Sequence, residues 1–409
     1  MEGRLPPRTR GGVLSQGGVV VAGGGLAGSR TCAELRAASY GGPLVLLCAE
    51  DHEPYDRPPL SKGVLLGHVE GIFLDHLDGL DVDVRLGVAA RALHGREVDL
   101  ADGTTVAFDH LVVATGALPV SLPGSGPQTY LRTVDDAKTL RAALTSGASL
   151  LVVGAGWIGA EVATAARTLG CEVTVVEAGE APLAAGLGAE VGALTVPWWT
   201  HAGVALRTRC AVTAVESGGV VLGDGSRLEA EVVLTAVGVR PATGWLAGSD
   251  VVVDRGVVVD AGLRSSRPDV LAVGDAAAWW SPRLGRRVTL EHWDDALRAP
   301  AAVASSILGI AATHDPVPYV WSEQFGRYLQ LVGLPGPQDR VVTRGDLAGP
   351  PGDPGSAVCW LDASGRLTAV LAVDRPRDLA QGRKLVEARS VVDPDLVADV
   401  ARPLRDCVA

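Results

Sequence analysis

The sequence contains one strand–turn–helix–strand plan twice, and this repeat restricts the possible folds more than any other feature. In the first copy an apolar run leads into the turn GGGLAG at 23–28, then a helical stretch and a second apolar run that ends near Glu50. The second copy has the turn GAGWIG at 154–159 and reaches Glu177 after its second apolar run. The two turns begin 131 positions apart. This order predicts two βαβ units, each built on a parallel sheet.

Each copy continues in the same way after its second strand. Two apolar runs meet at Asp102-Gly103 in the first copy and at Asp224-Gly225 in the second. Because Asp-Gly between apolar runs is a strong hairpin signal, we predict a small antiparallel meander in each unit. A further pattern, LAVGDA at 271–276, predicts another strand that leads into a helix.

The spacing of the glycines indicates what the two turns bind. In a G-x-G-x-x-G turn the first glycine permits the tight turn, the second lets the backbone approach a pyrophosphate, and the third lets the helix pack on the strand. The helix N-terminus then offers free N–H groups and a positive dipole end to the phosphates. An acid at the end of the second strand binds ribose hydroxyls, and here the acids lie 22 and 18 residues after the last glycines. The predicted nucleotide-binding residues are Gly23, Gly25, Gly28 and Glu50 in the first copy, and Gly154, Gly156, Gly159 and Glu177 in the second.

Two such turns, each followed by a meander, favour one FAD and one nicotinamide nucleotide over a single ligand. The residue that ends the second copy also bears on the choice of nicotinamide cofactor. A carboxylate at Glu177 accepts hydrogen bonds from a ribose 2′-OH and repels a 2′-phosphate. The next residues, 178–180, include no arginine that would hold a phosphate. The sequence therefore predicts NADH as the reductant in preference to NADPH.

The fold class that follows is α/β, with two nested Rossmann-like dinucleotide-binding domains, one for FAD and one for NAD, plus a C-terminal α+β domain. From Pro318 onward the pattern changes to short strands with Gly and Pro turns, and then to a helix near 379–388. The predicted domains are a disordered N-terminal tail at 1–16, a discontinuous FAD-binding domain at 17–124 and 243–320, an NAD-binding domain at 125–242, and the C-terminal domain at 321–409.

Composition excludes several other classes of function. The net charge of −11 at pH 7 argues against a nucleic-acid-binding surface, which would need clustered Lys and Arg. No stretch approaches 18 uninterrupted apolar residues, so we expect no membrane span. The six cysteines form no C-x-x-C pair and indicate free thiols in a reducing, cytoplasmic setting. The eight histidines show no metal-ligand spacing, and we expect no metal.

Seven short segments together resemble one family of flavoproteins. They are PYDRPPLSK at 54–62, ATGA at 114–117, GAGWIGAE at 154–161, GVRP at 238–241, VGD at 273–275, EHW at 291–293 and WSEQF at 321–325. The chain resembles, from about Gly18 to Arg389, the FAD-dependent ferredoxin reductases that serve Rieske oxygenases and cytochromes P450. That family lies within the pyridine-nucleotide-disulfide oxidoreductase fold group.

The resemblance implies roles for individual residues. Asp275 is expected to bind the ribityl chain of FAD, with the helix after it facing the pyrophosphate. Lys62 is expected near the flavin N5 edge, where hydride arrives, and to pair with Glu161. A nearby cation would stabilise the reduced flavin, which tends towards an anion. Lys62 and Glu161 are thus the candidate catalytic residues, and the further cofactor-binding residues implied are Arg57, Thr115, Gly116, Ile158, Gly238, Trp293 and Trp321.

The resemblance also implies a partner, a [2Fe–2S] ferredoxin that takes electrons singly and feeds an oxygenase. Related enzymes that work through a redox-active cysteine need a Cys pair, or one Cys near the flavin, and residues 60–62 read Leu-Ser-Lys. Two other functions stay open at this point. One is an enzyme that acts on a small organic substrate or oxygen directly at the flavin, and the other is a redox-sensing binding protein like apoptosis-inducing factor. The chain is expected to be a monomer or a homodimer.

Overall fold

The structure is a computed structural model that describes residues 17–69, 71–74, 76–351 and 355–409. The predicted tail at 1–16 lies outside these residues. The first segment of the chain contains strands β1 (Val19–Ala22), β2 (Leu44–Leu47), β3 (Asp83–Arg85), β4 (Ala90–His94), β5 (Glu97–Leu100), β6 (Thr105–Ala107), β7 (His110–Val113) and β8 (Ala117–Pro119), and helices α1 (Leu26–Ala37), α2 (Gly63–Leu66) and α3 (Val134–Ala143). β4, β5 and β6 pair antiparallel, which confirms the predicted meander with its turn at 102–103.

The second segment repeats this plan. Its elements are β9 (Ser149–Val153), α4 (Trp157–Thr168), β10 (Glu172–Val176), α5 (Ala184–Leu187), α6 (Ala189–Leu194), α7 (Val196–His201), β11 (Ala205–Arg207), β12 (Val212–Glu216), β13 (Gly219–Leu222), β14 (Arg227–Glu229), β15 (Val232–Thr235) and β16 (Val239–Pro241). A parallel sheet runs β11-β10-β9-β15, and β12, β13 and β14 form the second predicted meander. The central strands are almost wholly apolar because parallel sheets in α/β proteins are covered on both faces.

The third segment returns to the first unit. It contains β17 (Val257–Val259), β18 (Val270–Ala272), β19 (Ala277–Ser281), β20 (Arg286–Val288) and α8 (Trp293–Ile307). β18 pairs parallel with β7, so the first sheet has the order β18-β7-β1-β2-β3. A strand that follows the second unit therefore completes the first sheet, and the two nucleotide-binding units are nested.

The prediction of a helix directly after Asp275 was wrong. Gly274–Ala276 form a single 3₁₀ turn, and the chain then enters β19. β19 pairs parallel with β17 and antiparallel with β20. This pairing between distant segments outweighs the local helical signal, and the helix begins only at Trp293.

The C-terminal segment is a separate antiparallel sheet with helices. Its elements are β21 (Tyr319–Gln324), β22 (Arg327–Gly333), β23 (Arg340–Arg344), β24 (Ser356–Leu361), β25 (Leu367–Val373), α9 (Pro376–Glu387) and α10 (Pro394–Ala398). The sheet order is β21-β22-β25-β24-β23. The predicted boundary at 320/321 falls inside β21, because the strand already begins at Tyr319, immediately after Pro318.

Two features join the three parts. β8, which follows β7, and β16, which follows β15, pair antiparallel and form the double connection between the two units. The core of the second unit is continuous with that of the C-terminal sheet, where Trp198 and Trp199 on α7 pack in one cluster with Phe325 and Leu329. The indole Nε1 of Trp198 donates to the carbonyl of Leu347 at 2.7 Å. The C-terminal domain is therefore anchored on the second unit through buried contacts.

Candidate functional site

The two glycine turns have the same geometry. The first glycines, Gly23 and Gly154, have φ values of +124° and +103°, which residues with a side chain rarely adopt. A Cβ on Gly28 would lie 1.8 Å from the carbonyl oxygen of Gly23, and the last glycine of the second turn makes an equally close approach. Both turns therefore require glycine where α1 and α4 pack onto their own turns.

The middle glycines leave room for a ligand. Gly25 and Gly156 are the N-caps of α1 and α4, and neither helix has a side-chain hydrogen bond at its cap. A Cβ built on either glycine would meet no atom within 4 Å. Free N–H groups at a helix N-terminus below open space match what a pyrophosphate requires. The residues present thus fit a dinucleotide at each turn.

The acid of the second unit is held by its own turn. Glu177, which directly follows β10, accepts hydrogen bonds from the backbone N–H of Ala155 at 2.8 Å and of Gly179 at 2.7 Å. These bonds place the carboxylate beside the glycine turn, where an adenosine ribose lies in such folds. Arg209, in the segment after β11, is paired with Glu180 at 2.9 Å.

The acid of the first unit is held by side chains from another loop. Glu50 accepts from the hydroxyl of Tyr55 at 2.5 Å and from the guanidinium of Arg57 at 2.8 Å. Arg57 also donates to the carbonyl of Arg132, and the Tyr55 hydroxyl accepts from the N–H of Val134 at 3.0 Å. Burial is the main cause that raises the pKa of Tyr55, so its hydroxyl stays protonated. Arg57 is thus tied to Glu50, the acid predicted to bind ribose at the first turn.

Asp275 has an ion-pair partner that the sequence did not suggest. The guanidinium of Arg132 donates to its Oδ2 at 2.7 Å. Arg132 directly precedes Thr133, the N-cap of α3, which forms a capping box with Asp136. This box fixes the start of α3 and with it the backbone that carries Arg132.

Lys62 and Glu161 meet across the boundary between the two units. The ammonium of Lys62 lies 2.7 Å from Glu161 Oε2, and Glu161 is only 5% exposed. The hydroxyl of Ser61 also donates to Oε2, and that of Ser322 donates to Oε1 at 2.6 Å. The predicted pair therefore exists, and two serines that sequence reasoning missed complete the donor set around the buried carboxylate.

The two predicted tryptophans also lie together. The rings of Trp293 and Trp321 pack edge to face, with centroids 5.3 Å apart and an interplanar angle of 83°. Trp293 Nε1 donates to Asp56 Oδ1 at 2.6 Å, and burial is the main cause that raises the pKa of Asp56. Trp321 also stacks on Tyr319. These contacts of the aromatic rings thus connect the start of α8, the loop that leads to Lys62, and the C-terminal sheet.

The remaining predicted residues have less specific surroundings. Thr115 donates its hydroxyl to the carbonyl of Ala242 at 2.8 Å, where the two units connect. Gly116 and Gly238 both have positive φ, +67° and +105°, at this crossing. Ile158 lies in the first turn of α4 with 42% of its surface exposed, so its side chain is free to cover a ligand.

A cleft of about 350 Å³ opens where all three parts meet. Its lining includes Trp157 from the second unit, Glu291 and His292 from the first, and Tyr319 from the C-terminal sheet. Desolvation and the neighbouring Asp275 raise the pKa of Glu291, while desolvation lowers the pKa of His292. The cleft opens beside the N-terminus of α4, which begins at Trp157.

Three of the missed residues gave weak signals in the sequence. Arg132 stands next to the T-x-x-D capping signature at 133–136, which marks it as a fixed loop residue. Ser61 and Ser322 lie within the family-like segments PYDRPPLSK and WSEQF. Nothing in the sequence alone shows that these two serines, 261 positions apart, contact one carboxylate.

The cysteines show no sign of redox pairing. All six are free, and five of them are buried. Burial raises the pKa of Cys48 and of Cys359 to about 12, which leaves both as unreactive thiols. Within the described ranges no three His, Cys, Asp or Glu side chains are grouped as metal ligands would be. No helix in the described part of the chain combines the length and apolar character needed to cross a bilayer.

The chain belongs to the pyridine nucleotide-disulphide oxidoreductase family, whose model matches residues 17–299, and a reductase C-terminal domain matches residues 319–408. It is 38% identical over 406 residues to the ferredoxin–NAD(+) reductase subunit of the benzene 1,2-dioxygenase system of Pseudomonas putida, covering 95% of this chain and 97% of that protein. It is 31% identical over 412 residues to putidaredoxin reductase of Pseudomonas putida, covering 96% of each.

Solved structures match over at least 95% of the chain. The crystal structure of Fdr9 has a TM-score of 0.90 and 48% identity, covering 95% of this chain and 99% of that one. The covalent complex of putidaredoxin reductase with putidaredoxin also gives a TM-score of 0.90, at 30% identity, covering 96% of this chain and 98% of that one. These matches confirm the predicted family, the two nested Rossmann-like domains and the C-terminal domain.

Proposed function

We propose that this chain is an NADH-dependent, FAD-containing ferredoxin reductase that supplies electrons to an oxygenase. The observation that carries the proposal is the Lys62–Glu161 pair. It joins the loop after the FAD-type turn to the helix that starts at the NAD-type turn. A cation at this junction lies where two stacked dinucleotides would bring their reacting rings together.

The bound flavin would supply the redox chemistry, accepting a hydride from the nicotinamide ring and releasing electrons one at a time. The residues of the chain bind and orient the two cofactors and exclude water from the site. The N-termini of α1 and α4 hold the two pyrophosphates, and Glu50 and Glu177 hold the riboses. Lys62 places a positive charge where negative charge builds up on reduction, and Glu161 keeps its ammonium in position.

The other predicted site residues take supporting roles in this proposal. Arg57 orients Glu50, and Asp275, together with Arg132, faces the sugar-like chain of FAD. Thr115, Gly116 and Gly238 shape the crossing between the units, and Ile158 covers the nicotinamide nucleotide at α4. Trp293 and Trp321 flank the flavin ring and shield it from solvent.

Two observations support a protein that accepts one electron at a time as the electron acceptor: the names of the relatives and the burial of the cysteines. The relatives named above are ferredoxin–NAD(+) reductase components of dioxygenase systems and putidaredoxin reductase. The buried cysteines offer no route for electrons through sulfur. We propose a [2Fe–2S] ferredoxin that serves a Rieske oxygenase or a cytochrome P450 as the acceptor. The free thiols also support a cytoplasmic location.

The test is an anaerobic titration of the purified holoprotein. NADH is added until the flavin absorbance bleaches, and a [2Fe–2S] ferredoxin is then added while both chromophores are followed. We expect the flavin to reoxidise as the iron–sulfur centre is reduced, and NADPH to bleach the flavin far more slowly than NADH. Failure of NADH to bleach the flavin would overturn the reductase function. Bleaching that a panel of ferredoxins does not reverse would overturn the proposed acceptor alone.

A further inference from the structure

A serine of the C-terminal domain completes the contact between the two nucleotide-binding units. Ser322 lies on β21 with 0% of its surface exposed, and its hydroxyl donates to Glu161 Oε1 at 2.6 Å. Lys62 and Ser61, from the first unit, both bind the other oxygen, Oε2. The carboxylate of Glu161, which belongs to the second unit, thus receives hydrogen bonds from the first unit and from the C-terminal domain.

The Glu161 carboxylate can only accept, so the Ser322 hydroxyl is the donor, and a second residue is compatible with this direction. The side-chain amide of Gln324, which is also buried, donates from Nε2 to Ser322 Oγ at 3.1 Å. A hydroxyl has one proton to donate and can accept at its lone pairs. Because Gln324 supplies a proton to the oxygen of Ser322, the hydroxyl proton of Ser322 is available for Glu161.

Among the described residues, Ser322 is the hydrogen-bond donor to Oε1. A carboxylate that is 5% exposed has little water to replace a lost donor. With Ser322 absent, Glu161 would be held on one oxygen alone and could rotate about its side-chain bonds. Lys62, which bonds to the same carboxylate, would lose its fixed position.

The strand that carries Ser322 is held against α4 by an independent contact. The N–H of Phe325 donates to Thr164 Oγ1 at 3.0 Å. The ring of Phe325 packs against Trp199, with centroids 4.8 Å apart. Removal of the Ser322 hydroxyl therefore leaves β21 docked on α4, and its effect is confined to the polar network.

We propose that Ser322 is a positioning residue for hydride transfer, acting through Glu161 on Lys62. The inference rests on the proposed function, because it assigns the Lys62–Glu161 pair to the flavin edge. It gives the C-terminal domain a part in the reductive half-reaction in addition to covering the flavin. Without the hydroxyl, the negative charge of Glu161 is less well compensated, which disfavours negative charge on the flavin.

The experiment compares five variants of the holoprotein, one of which is the double variant Glu161→Gln with Ser322→Ala. Ser322→Ala removes the hydroxyl and Ser322→Thr keeps it, while Glu161→Gln tests whether the effect passes through the carboxylate. Ser356→Ala is the matched control, since Ser356 is a buried serine of the same sheet that makes no hydrogen bond to Glu161. The readouts are the two-electron midpoint potential of the bound FAD, measured by dye equilibration, and the rate of anaerobic flavin reduction by NADH.

We expect Ser322→Ala to slow flavin reduction about tenfold with little change in the KM for NADH, since the nicotinamide-binding residues are intact. We expect the equilibrium for flavin reduction to shift about tenfold towards the oxidised form, which is a fall of about 30 mV for a two-electron couple. Ser322→Thr should restore both values, and Ser356→Ala should leave both unchanged. In the Glu161→Gln background, Ser322→Ala should have no further effect.

Two results would overturn the proposal. One is an unchanged potential and rate in Ser322→Ala, and the other is an equal shift in the Glu161→Gln background or in Ser356→Ala. The potential is measured without NADH, so it tests Ser322 even if NADH proves not to be the reductant. The NADH titration of the unmodified protein tests the proposed function separately.

Discussion

The two glycine turns have the same backbone geometry, yet the acids beside them are held in different ways. In the second unit Glu177 is bound by backbone N–H groups of its own turn and of residue 179. In the first unit Glu50 is bound by side chains, the hydroxyl of Tyr55 and the guanidinium of Arg57. The acid of the second unit is therefore held locally, while that of the first unit depends on a loop that also leads to Lys62.

This difference is consistent with one nucleotide that exchanges in every catalytic cycle and one that stays bound. In the proposed function NADH must arrive and leave in every cycle, and a carboxylate preset by its own backbone needs no rearrangement. FAD stays bound, and a site tied to Arg57, Arg132 and Asp275 by ion pairs and hydrogen bonds can be closed over the cofactor. In the proposed function, one motif therefore serves an exchangeable and a resident nucleotide through the different contacts around its acid.

The largest expected effect comes from substituting the first glycine of each turn, because the two substitutions should affect different nucleotides. Gly23→Ala should yield protein with FAD occupancy reduced at least tenfold, and Gly154→Ala should keep FAD but weaken NADH binding at least tenfold. Each change forces a side chain into a positive-φ position, at a cost of about 1–3 kcal/mol, and tenfold is about 1.4 kcal/mol. The new Cβ would also lie within 2.4 Å of a backbone carbonyl oxygen in either turn. Flavin absorbance and NADH titration measure the two effects.

A control for backbone strain alone is available in the second meander. Gly225 has a φ of +83° and open space around a Cβ, so Gly225→Ala should leave both nucleotides bound. If Gly154→Ala lost FAD as completely as Gly23→Ala, the assignment of the two turns to different nucleotides would be wrong.

The next largest effect concerns the Lys62–Glu161 ion pair between the two units. Lys62→Met should slow flavin reduction by NADH about a hundredfold while FAD stays bound, because preorganised charge at a reacting centre contributes on this scale. Stopped-flow absorbance under anaerobic conditions measures the rate. Lys138→Met is the control, since Lys138 is an exposed lysine on α3 paired only with Asp135. Reduction at the unmodified rate in Lys62→Met would remove Lys62 from the catalytic role.

A smaller effect tests the two acids directly. Glu177→Gln should raise the KM for NADH about tenfold with kcat unchanged and reduce the preference over NADPH, because one charged hydrogen bond to ribose is lost. Glu50→Gln should weaken FAD binding about tenfold and leave the KM for NADH unaltered, since it breaks the Arg57 ion pair of the other unit. Glu180→Gln, which changes an exposed acid paired with Arg209, serves as the control. An unaltered cofactor preference in Glu177→Gln would contradict the ribose assignment.

The smallest effect is a pH dependence from the cleft between the units. Burial lowers the pKa of His292 below its ordinary value of about 6.5, so on acidification the unfolded chain takes up a proton before the folded one does. The free energy of unfolding should therefore fall as the pH drops through about 6.5 towards the lower folded pKa. His292→Gln should remove that component in denaturant titrations at pH 7.5 and pH 5.5 (roughly one unit either side of the ordinary pKa). The exposed His94 is the control, and an equal pH response in His94→Gln would show that burial of His292 is not the cause.

Much of the architecture could be predicted because its signals are local. The glycine turns at 23–28 and 154–159 and the Asp-Gly hairpins at 102–103 and 224–225 depend on residue types within a few positions. The helix predicted after Asp275 failed for the opposite reason. Whether 277–281 forms a strand depends on β17 and β20, and neither partner is encoded in that segment.

The candidate site divides in the same way. The resemblance to a family predicted that Lys62 pairs with Glu161, and the structure has this pair. It implied only that Trp293 and Trp321 each bind the cofactor, and their contact with each other comes from the structure. The donors that complete these contacts come from elsewhere. Arg132 lies 143 positions from the Asp275 that it binds, and Ser322 lies 161 positions from Glu161.

The sequence by itself determined the two turns and predicted the acids beside them, because backbone conformation and helix-terminus charge are properties of short segments. Only the tertiary structure decided which side chains surround Glu50, Glu161 and Asp275. A buried carboxylate needs donors from whatever elements pack around it, and packing between three domains is set by their shared core and not by any one segment.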